Sequence, residues 1–514
     1  MSQLSTFVVT TPIYYVNASP HLGSAYTTLA ADAIARYHRL RGQPTLMITG
    51  TDEHGQKIQR TAAERGIEPQ THCDQVANDF LRLWSLLDIR YDRFIRTTDP
   101  RHLQIVNEFF QRVWDQGDIY VGQQQGWYCV SCEEFKDEAD LLTGGFCPIH
   151  SNKKVEWRDE ENYFFRLSRY QEALEALYAD QPAFIQPSTR RNEVINFVKQ
   201  GLRDFSVSRR QVSWGIPTPV DPDQTIYVWF DALLNYITAL LDPHAEATLA
   251  QATATWWPVN LHLIGKDILR FHAVYWPAML MSAQLPLPQR VFGHGFLTKD
   301  GQKMGKSLGN TVDPFDLVQQ YGADAVRYYF LKEIELGRDG DFSESRFKEV
   351  LNADLANDLG NLLNRTLTML RKYCNHIIPA VEIATSHPLR SLATPLPETV
   401  VTAYDQLNLS QAASKTLSLI QASNRYLDTE APWSLYKQGK QTEVEACLYS
   451  VLESVRIASI LLSPLIPSIS LKILQQLGFD YTQVDQLHWQ QTAWGGLSPA
   501  QTPLAPEPVF QRLL

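Results

Sequence analysis

The chain has 514 residues, 44% of them hydrophobic and 20% charged, with a formal net charge of −10. That length suits three or four domains, and the negative balance excludes a polycation that holds nucleic acid with its whole surface; such a partner would need local basic patches. Six cysteines, three of them clustered, do not form a disulfide framework and predict a reducing compartment with one metal site. The start, MSQLSTFVVTT, has no basic stretch followed by a long apolar core. The longest apolar run, residues 457–469, contains Pro464 and Pro467 and is too short to span a bilayer. The expectation is a cytoplasmic protein with no membrane partner.

Taken in order, a β-prone run at 6–10 leads through a Pro- and Asn-containing turn to His21-Leu22-Gly23-Ser24. Tyr26, Leu29, Ala30, Ala33, Ile34, Tyr37 and Leu40 then recur at helical spacing, with Gly42 as the stop. A strand at 45–49 ends in Gly50-Thr51-Asp52-Glu53-His54-Gly55. This is a βαβ unit whose polar residues collect at strand ends, where open parallel sheets bind ligands. Helices at 56–65, 74–87 and 99–116 and a strand at 91–96 continue a doubly wound α/β pattern. At the first helix the unpaired N–H groups and the dipole favour an anion, Gly23 lets a flat group approach, and His21 can donate to a phosphate oxygen. Alone, an H-x-G before a helix reads far better as an ordinary loop.

The whole run TTPIYYVNASPHLGSAY resembles the first signature of the class I aminoacyl-tRNA synthetases in its methionyl form. The family pattern ends in a second His, where this chain has Ser24.

The α/β pattern breaks after residue 117. Residues 121–157 are rich in Gly, Cys and charge and predict few regular elements. They contain Cys129-Val-Ser-Cys132 and Cys147-Pro-Ile-His150. Two such hooks suit tetrahedral Zn²⁺ bound by three thiolates and one imidazole, and with no spare ligand nearby the site reads as structural; scattered buried cysteines are the alternative. The position fits the family's zinc knuckle. Residues 188–210 carry Arg190, Arg191, Lys199, Arg203, Arg209 and Arg210 against Glu193 and Asp204, a local charge of +4. This is either a solvated helix face or a track for a tRNA acceptor stem.

The sheet is expected to resume with a strand at 225–229 and a helix from Asp231. A strand at 261–264 follows, then Gly265-Lys266-Asp267 and a helix through His272, and a strand at 291–296. The next loop holds Lys303-Met304-Gly305-Lys306-Ser307, and Asp313-Pro314 caps a new helix. The loop resembles the second class I signature, with Gly305 for the usual Ser; two lysines on a Gly-flanked loop suit a clamp on a triphosphate. From about residue 323 helical patterns dominate, as in Leu351, Leu355, Leu359, Leu362, Leu363 and Leu370, apart from a strand-like stretch at 377–382. Pro-containing linkers fall at 386–398 and around Pro464, and the tail from Trp489 reads as extended on the surface.

The resemblance implies a Rossmann-like doubly wound parallel α/β sheet with a zinc-knuckle insertion, followed by an α-helical bundle. The divisions would be 1–117 for the first catalytic half and 118–224 for the insertion, then 225–345 for the second catalytic half with its signature loop and 346–514 for an anticodon-binding bundle. The implied activity is formation of an aminoacyl-adenylate from methionine and ATP, then transfer to tRNA(Met), initiator tRNA included, for translation. The attacking group is already a carboxylate, so catalysis rests on positioning and charge stabilisation. His21, Lys303 and Lys306 would be catalytic; the same residues with Gly23, Ser24 and Ser307 would bind ATP, with Mg²⁺ travelling with it. Methionine would meet Ile13, Tyr15, Asp52, Trp229, Ala232, Leu233, Tyr236, Ile268 and His272, with Asp52 on the α-ammonium; some relatives carry Pro where this chain has Leu233. One zinc per chain would be held by Cys129, Cys132, Cys147 and His150. Asn361 and Arg365, at i and i+4 on one helix face, and Trp433 after a helix end would read and stack anticodon bases; core packing is the alternative for Trp433. Some relatives carry a further dimerising domain after the bundle; with the sequence ending at Leu514, a monomer is expected.

Two other readings fit part of the pattern. A class I synthetase for Leu, Ile, Val or Cys would share both signatures, but the branched-chain enzymes carry a larger editing insertion and a cysteine enzyme would use zinc in the pocket. An RNA-binding protein on the same frame would explain Ser24 and Gly305, but not intact His21, Asp52 and Lys306.

Overall fold

The computed structural model describes residues 6–149, 151–304 and 309–514. Its centre is a six-stranded, wholly parallel sheet in the order Arg93–Arg96, Thr45–Asp52, Phe7–Tyr15, Leu261–Gly265, Val291–His294, Ile185–Gln186. The central strands are almost fully buried, because helices cover both faces, so they are built from continuous apolar and β-branched runs rather than alternating ones. One apolar core holds helix Leu22–Leu40 and extends into the C-terminal bundle. The other packs helix Pro100–Asp115 with the segment after Thr225. From Phe7–Tyr15 the chain builds outward one way and later returns to build the other way. The two inner strands therefore flank a topological switch point, and their carboxyl ends open a crevice. The pairing of Phe7–Tyr15 with Thr45–Asp52 shifts register between Thr10 and Ile13. Pro12, which cannot donate to the ladder, lies in that shift, and the irregularity turns the strand end toward the crevice.

The insertion is more regular than expected for 121–157. Ile119–Cys129 pairs antiparallel along its length with Glu156–Phe165, and Glu134–Lys136 and Phe205–Ser206 complete a four-stranded sheet. Its outer face is polar, with Gln125 donating to Asp159 at 2.9 Å. Its buried face also carries charge, with Arg158 stacked 3.8 Å over the Tyr128 ring. Neither face offers the apolar alternation that marks a strand in sequence. Of the basic residues at 188–210, Arg209 is buried and stacks 4.2 Å over Tyr227, so it belongs to the core and not to a phosphate track.

The strand expected at 225–229 is only Thr225–Ile226, paired with Ser208–Arg209; helix Val228–Leu233 starts immediately after Tyr227. The stretch at 377–382 is irregular and not a strand of a sheet: Ile378 exchanges two backbone bonds with the tail at Ala500 and Gln501. A short strand that the sequence did not announce, Gly340–Phe342, pairs parallel with Leu297–Lys299. The tail from Trp489, expected to lie extended on the surface, instead begins as a 3-10 helix, Trp489–Thr492, and is docked. Leu497 and Val509 are buried, and the side-chain amides of Asn352 and Gln476 each make paired bonds to tail backbone.

The bundle packs helices Leu409–Glu430 and Gln441–Leu462 against Leu362–Tyr373. Arg327, 0% exposed, joins it to the sheet. Its guanidinium pairs with Asp32 of the first helix at 2.6 Å and donates to the carbonyls of Pro464 and Leu465 at 2.9 and 3.1 Å. A buried charge of this kind is tolerated because its counterion and acceptors are supplied together. Among the described residues no helix is long and apolar enough to cross a membrane.

Candidate active site

A cavity of about 350 Å³ fills the crevice at the switch point, and His21, Gly23 and Ser24 are in its wall. His21 is the N-cap of helix Leu22–Leu40. Its Nδ1 accepts from the Ser24 N–H at 3.2 Å, while Ser24 Oγ accepts from the His21 N–H at 3.1 Å and donates to the His21 carbonyl at 2.7 Å. With Nδ1 accepting, Nε2 is the protonated, donating nitrogen. A Cβ on Gly23 would sit 3.0 Å from His21 Cε1, so glycine is what lets the ring fold over the helix start. Ser24, which takes the place of the family's second His, therefore braces His21 through a capping box.

A smaller cavity of about 30 Å³ continues inward and shares Pro12, Ile13, Asp52, Trp229 and Ile268 with the larger one. Eight of the nine residues expected at an amino-acid pocket line it, and the ninth, Tyr15, lines the larger cavity. Trp229 stacks on Phe271 at 3.8 Å with the rings 3° from parallel. The Tyr236 hydroxyl donates to His272 Nε2 at 2.6 Å, and His272 Nδ1–H donates to the Ile268 carbonyl at 3.0 Å. Burial depresses the His272 imidazole to about 4, against the Ile268 carbonyl bond, so the ring is neutral. A π-helical turn, Phe271–Tyr275, carries it. Asp52 lines both cavities. Desolvation pushes its carboxyl well above the usual range, and the nearby charges of Asp231, Glu133 and Glu53 push the same way; the His54 backbone N–H opposes them. Asp52 Oδ1 has no hydrogen-bond partner among the described residues. A carboxylate so placed suits an incoming cation.

In the insertion, the Sγ atoms of Cys129, Cys132 and Cys147 lie within 4.8 Å of one another, with Cys132 and Cys147 3.5 Å apart. Three sulfurs at such spacing fit one tetrahedral thiolate-bound ion. His150 lies outside the described residues, as do Lys306 and Ser307; of Lys303 the backbone is described, paired with Thr298.

In the bundle Asn361 is exposed at the end of a π-helical stretch, and Arg365, one turn on, pairs with Asp428 at 2.7 Å. Asp428 lies near the end of Leu409–Glu430. There Ala431, in a left-handed conformation, breaks the chain into helix Pro432–Lys437, which carries a half-buried Trp433.

Sequence reasoning missed several residues in this neighbourhood. Glu133, Asp267, His294 and Phe296 all line the larger cavity. His54 and His102 grip Asp231 behind the smaller one at 2.6 and 2.7 Å. The signals were position alone: Glu133 directly follows Cys132, His54 sits two residues from Asp52, and Asp231 lies between Trp229 and Ala232.

Comparison with known proteins bears on this arrangement. The family model described as tRNA synthetases class I (M) matches residues 7–154 and 140–367, and that of the anticodon binding domain of methionyl tRNA ligase matches 389–514. The methionine–tRNA ligase of Synechocystis sp. is 62% identical over 100% of this chain and 98% of its own length; that of Nostoc sp. is 64% identical over 99% and 97%. The solved structure of Mycobacterium tuberculosis methionyl-tRNA synthetase in complex with methionyl-adenylate superposes with a TM-score of 0.93 at 40% identity, covering 99% of this chain and 100% of its own. The chain belongs to the methionine branch of the class I aminoacyl-tRNA synthetases.

Proposed function

We propose that this chain joins L-methionine to tRNA in two steps. First, the methionine carboxylate attacks the α-phosphorus of ATP, the bond to pyrophosphate breaks, and methionyl-adenylate forms. Then the terminal ribose hydroxyl of tRNA attacks the adenylate carbonyl and AMP leaves. The observation that carries this reading is the pairing of two joined cavities. The inner one is small, aromatic and neutral apart from one carboxylate, Asp52; the outer one is lined by His21 at a helix N-terminus.

In this reading Asp52 holds the α-ammonium and Trp229, Tyr236 and His272 enclose the thioether, whose soft, polarizable sulfur suits an aromatic lining. Ile13, Tyr15, Ala232, Leu233 and Ile268 complete the wall. His21 Nε2–H and the helix start stabilise charge on the phosphates. Gly23 and Ser24 shape that contact, and Lys303, Lys306 and Ser307 close on the triphosphate. Mg²⁺ entering with ATP supplies countercharge to the phosphates. Cys129, Cys132, Cys147 and His150 hold one structural Zn²⁺. Residues 1–117 and 225–345, joined by the sheet's edge strand Ile185–Gln186, form the catalytic unit, the rest of 118–224 the insertion, and 346–514 the part that reads the anticodon through Asn361, Arg365 and Trp433. The protein acts as a cytoplasmic monomer on initiator and elongator tRNA(Met).

The test is methionylation of tRNA(Met) transcripts with labelled methionine and ATP. Acid-stable labelling of the tRNA is expected, and it should disappear when the anticodon is changed. Labelling indifferent to the anticodon would refute the role given to the bundle.

A further inference from the structure

The side chain of Asp231 points away from both cavities and is 0% exposed. It lies on helix Val228–Leu233, three of whose residues, Trp229, Ala232 and Leu233, line the small cavity. Asp231 Oδ2 faces His54 Nδ1 at 2.6 Å and Oδ1 faces His102 Nε2 at 2.7 Å.

The Thr238 hydroxyl, which donates to the Leu234 carbonyl at 3.1 Å, lies 2.9 Å from His102 Nδ1. Burial pushes the Asp231 carboxyl upward, but His54 and His102 outweigh it and hold it below the usual carboxylate range. The buried group is therefore one carboxylate held at both oxygens by imidazole nitrogens.

His54 connects this group to the substrate side. It stands two residues after Asp52, and its backbone N–H favours the charged form of that carboxylate. Its ring packs edge-on to Trp214, which donates to the Glu53 carbonyl at 2.5 Å and accepts from the Gly55 N–H at 2.9 Å. The Glu53 carboxylate is drawn to Arg96 at 2.6 Å. In this loop Glu53 and His54 are both anchored in protein, and Asp52 is the residue left facing the cavities.

We infer that Asp231 is a positioning residue for methionine: through His54 it fixes the loop that presents Asp52. This rests on the reading of Asp52 as the ammonium partner. Removing either anchor should weaken the contact with the α-ammonium and leave the ATP side of the site unchanged.

The experiment compares dissociation constants for L-methionine and for 4-(methylthio)butanoate, which lacks the α-amino group, in Asp231→Asn, His54→Ala, His54→Asn and Asp52→Asn, with thermal melts and KM for ATP alongside. Asp231→Asn and His54→Ala are expected to weaken L-methionine about tenfold, the loss of one hydrogen bond to a charged group, with no change for the desamino compound. His54→Asn, which keeps a donor near the Nδ1 position, should restore most of the affinity. If Asp231→Asn does not fold, the two His54 variants decide. A folded His54→Ala protein that binds L-methionine within about twofold of wild type, or loses both compounds equally, would overturn the inference. Asp52→Asn separates the two ideas: if it leaves L-methionine binding intact, the ammonium assignment itself fails.

Discussion

The Tyr15 hydroxyl donates to Glu133 Oε1 at 2.8 Å across 118 positions of sequence. Glu133 directly follows Cys132, sits in a left-handed conformation at φ +54°, and also accepts from the Lys57 N–H at 2.9 Å. A Cβ on Gly55 would lie 2.5 Å from the same carboxylate, so glycine there is a condition of the contact. The cysteine hook is thereby stitched to the wall of the outer cavity, and its conformation reaches the site through one side chain.

That link makes the metal testable. The protein purified without chelator is expected to carry about one zinc per chain, and Cys132→Ser should lose or weaken it. Because Glu133 is the next residue, loss of the metal should also loosen Tyr15 and lower melting temperature or transfer to tRNA. Metal analysis that finds no zinc in fully active protein would contradict the assignment.

Lys306→Ala is expected to slow adenylate formation about a hundredfold, as one transition-state contact to a departing anion is worth on the order of 3 kcal/mol. Methionine binding should barely change. Exchange kinetics showing a raised KM for methionine with unchanged kcat would place Lys306 elsewhere.

Trp433→Ala should separate the two halves of the reaction. If its indole stacks a base, its loss removes about 1–3 kcal/mol of tRNA binding and leaves methionine activation and the melting temperature near normal. If instead it fills the bundle, the cavity left behind would lower the melt and both activities together. Melting, pyrophosphate exchange and charging on one preparation distinguish these outcomes.

Asp324 gives a pH dependence with a definite sign. Burial raises its carboxyl to about 6, although it accepts from the Ile469 N–H at 2.6 Å and lies near Arg327. The folded state then binds more protons than the unfolded one between the ordinary carboxylate range and about 6, so this group's contribution to stability falls as pH rises through that window. Over about two pH units the change is about 3 kcal/mol, and Asp324→Asn should gain that much on the wild type between about pH 4 and pH 7. Urea unfolding of both proteins across the window checks it; parallel curves would mean that Asp324 does not titrate there.

Much of the sheet was legible because its signals are local. Helix Leu22–Leu40 followed apolar periodicity and its Gly42 stop, and Asp313 caps helix Pro314–Tyr321 as its position before proline predicts. The pocket residues came from matching motifs, not from pattern, since Trp229, Tyr236 and His272 are individually indistinguishable from core. What escaped had no local signal. The hairpin Ile119–Cys129 with Glu156–Phe165 is polar or charged on both faces. The strand-like stretch at 377–382 is irregular, and its backbone partners lie in the tail, more than 100 residues away. Glu133 on Tyr15 and His54 on Asp231 are pairs 118 and 177 residues apart, and contacts at that range are made by the fold.

Amino-acid-dependent exchange of labelled pyrophosphate into ATP, run with each standard amino acid in turn and no tRNA, measures the first step directly and asks which side chain the inner cavity accepts. Rapid exchange is expected with L-methionine, far above every other amino acid, and should be lost in Asp52→Asn. Exchange driven better by another amino acid, or by none, would contradict the proposed function.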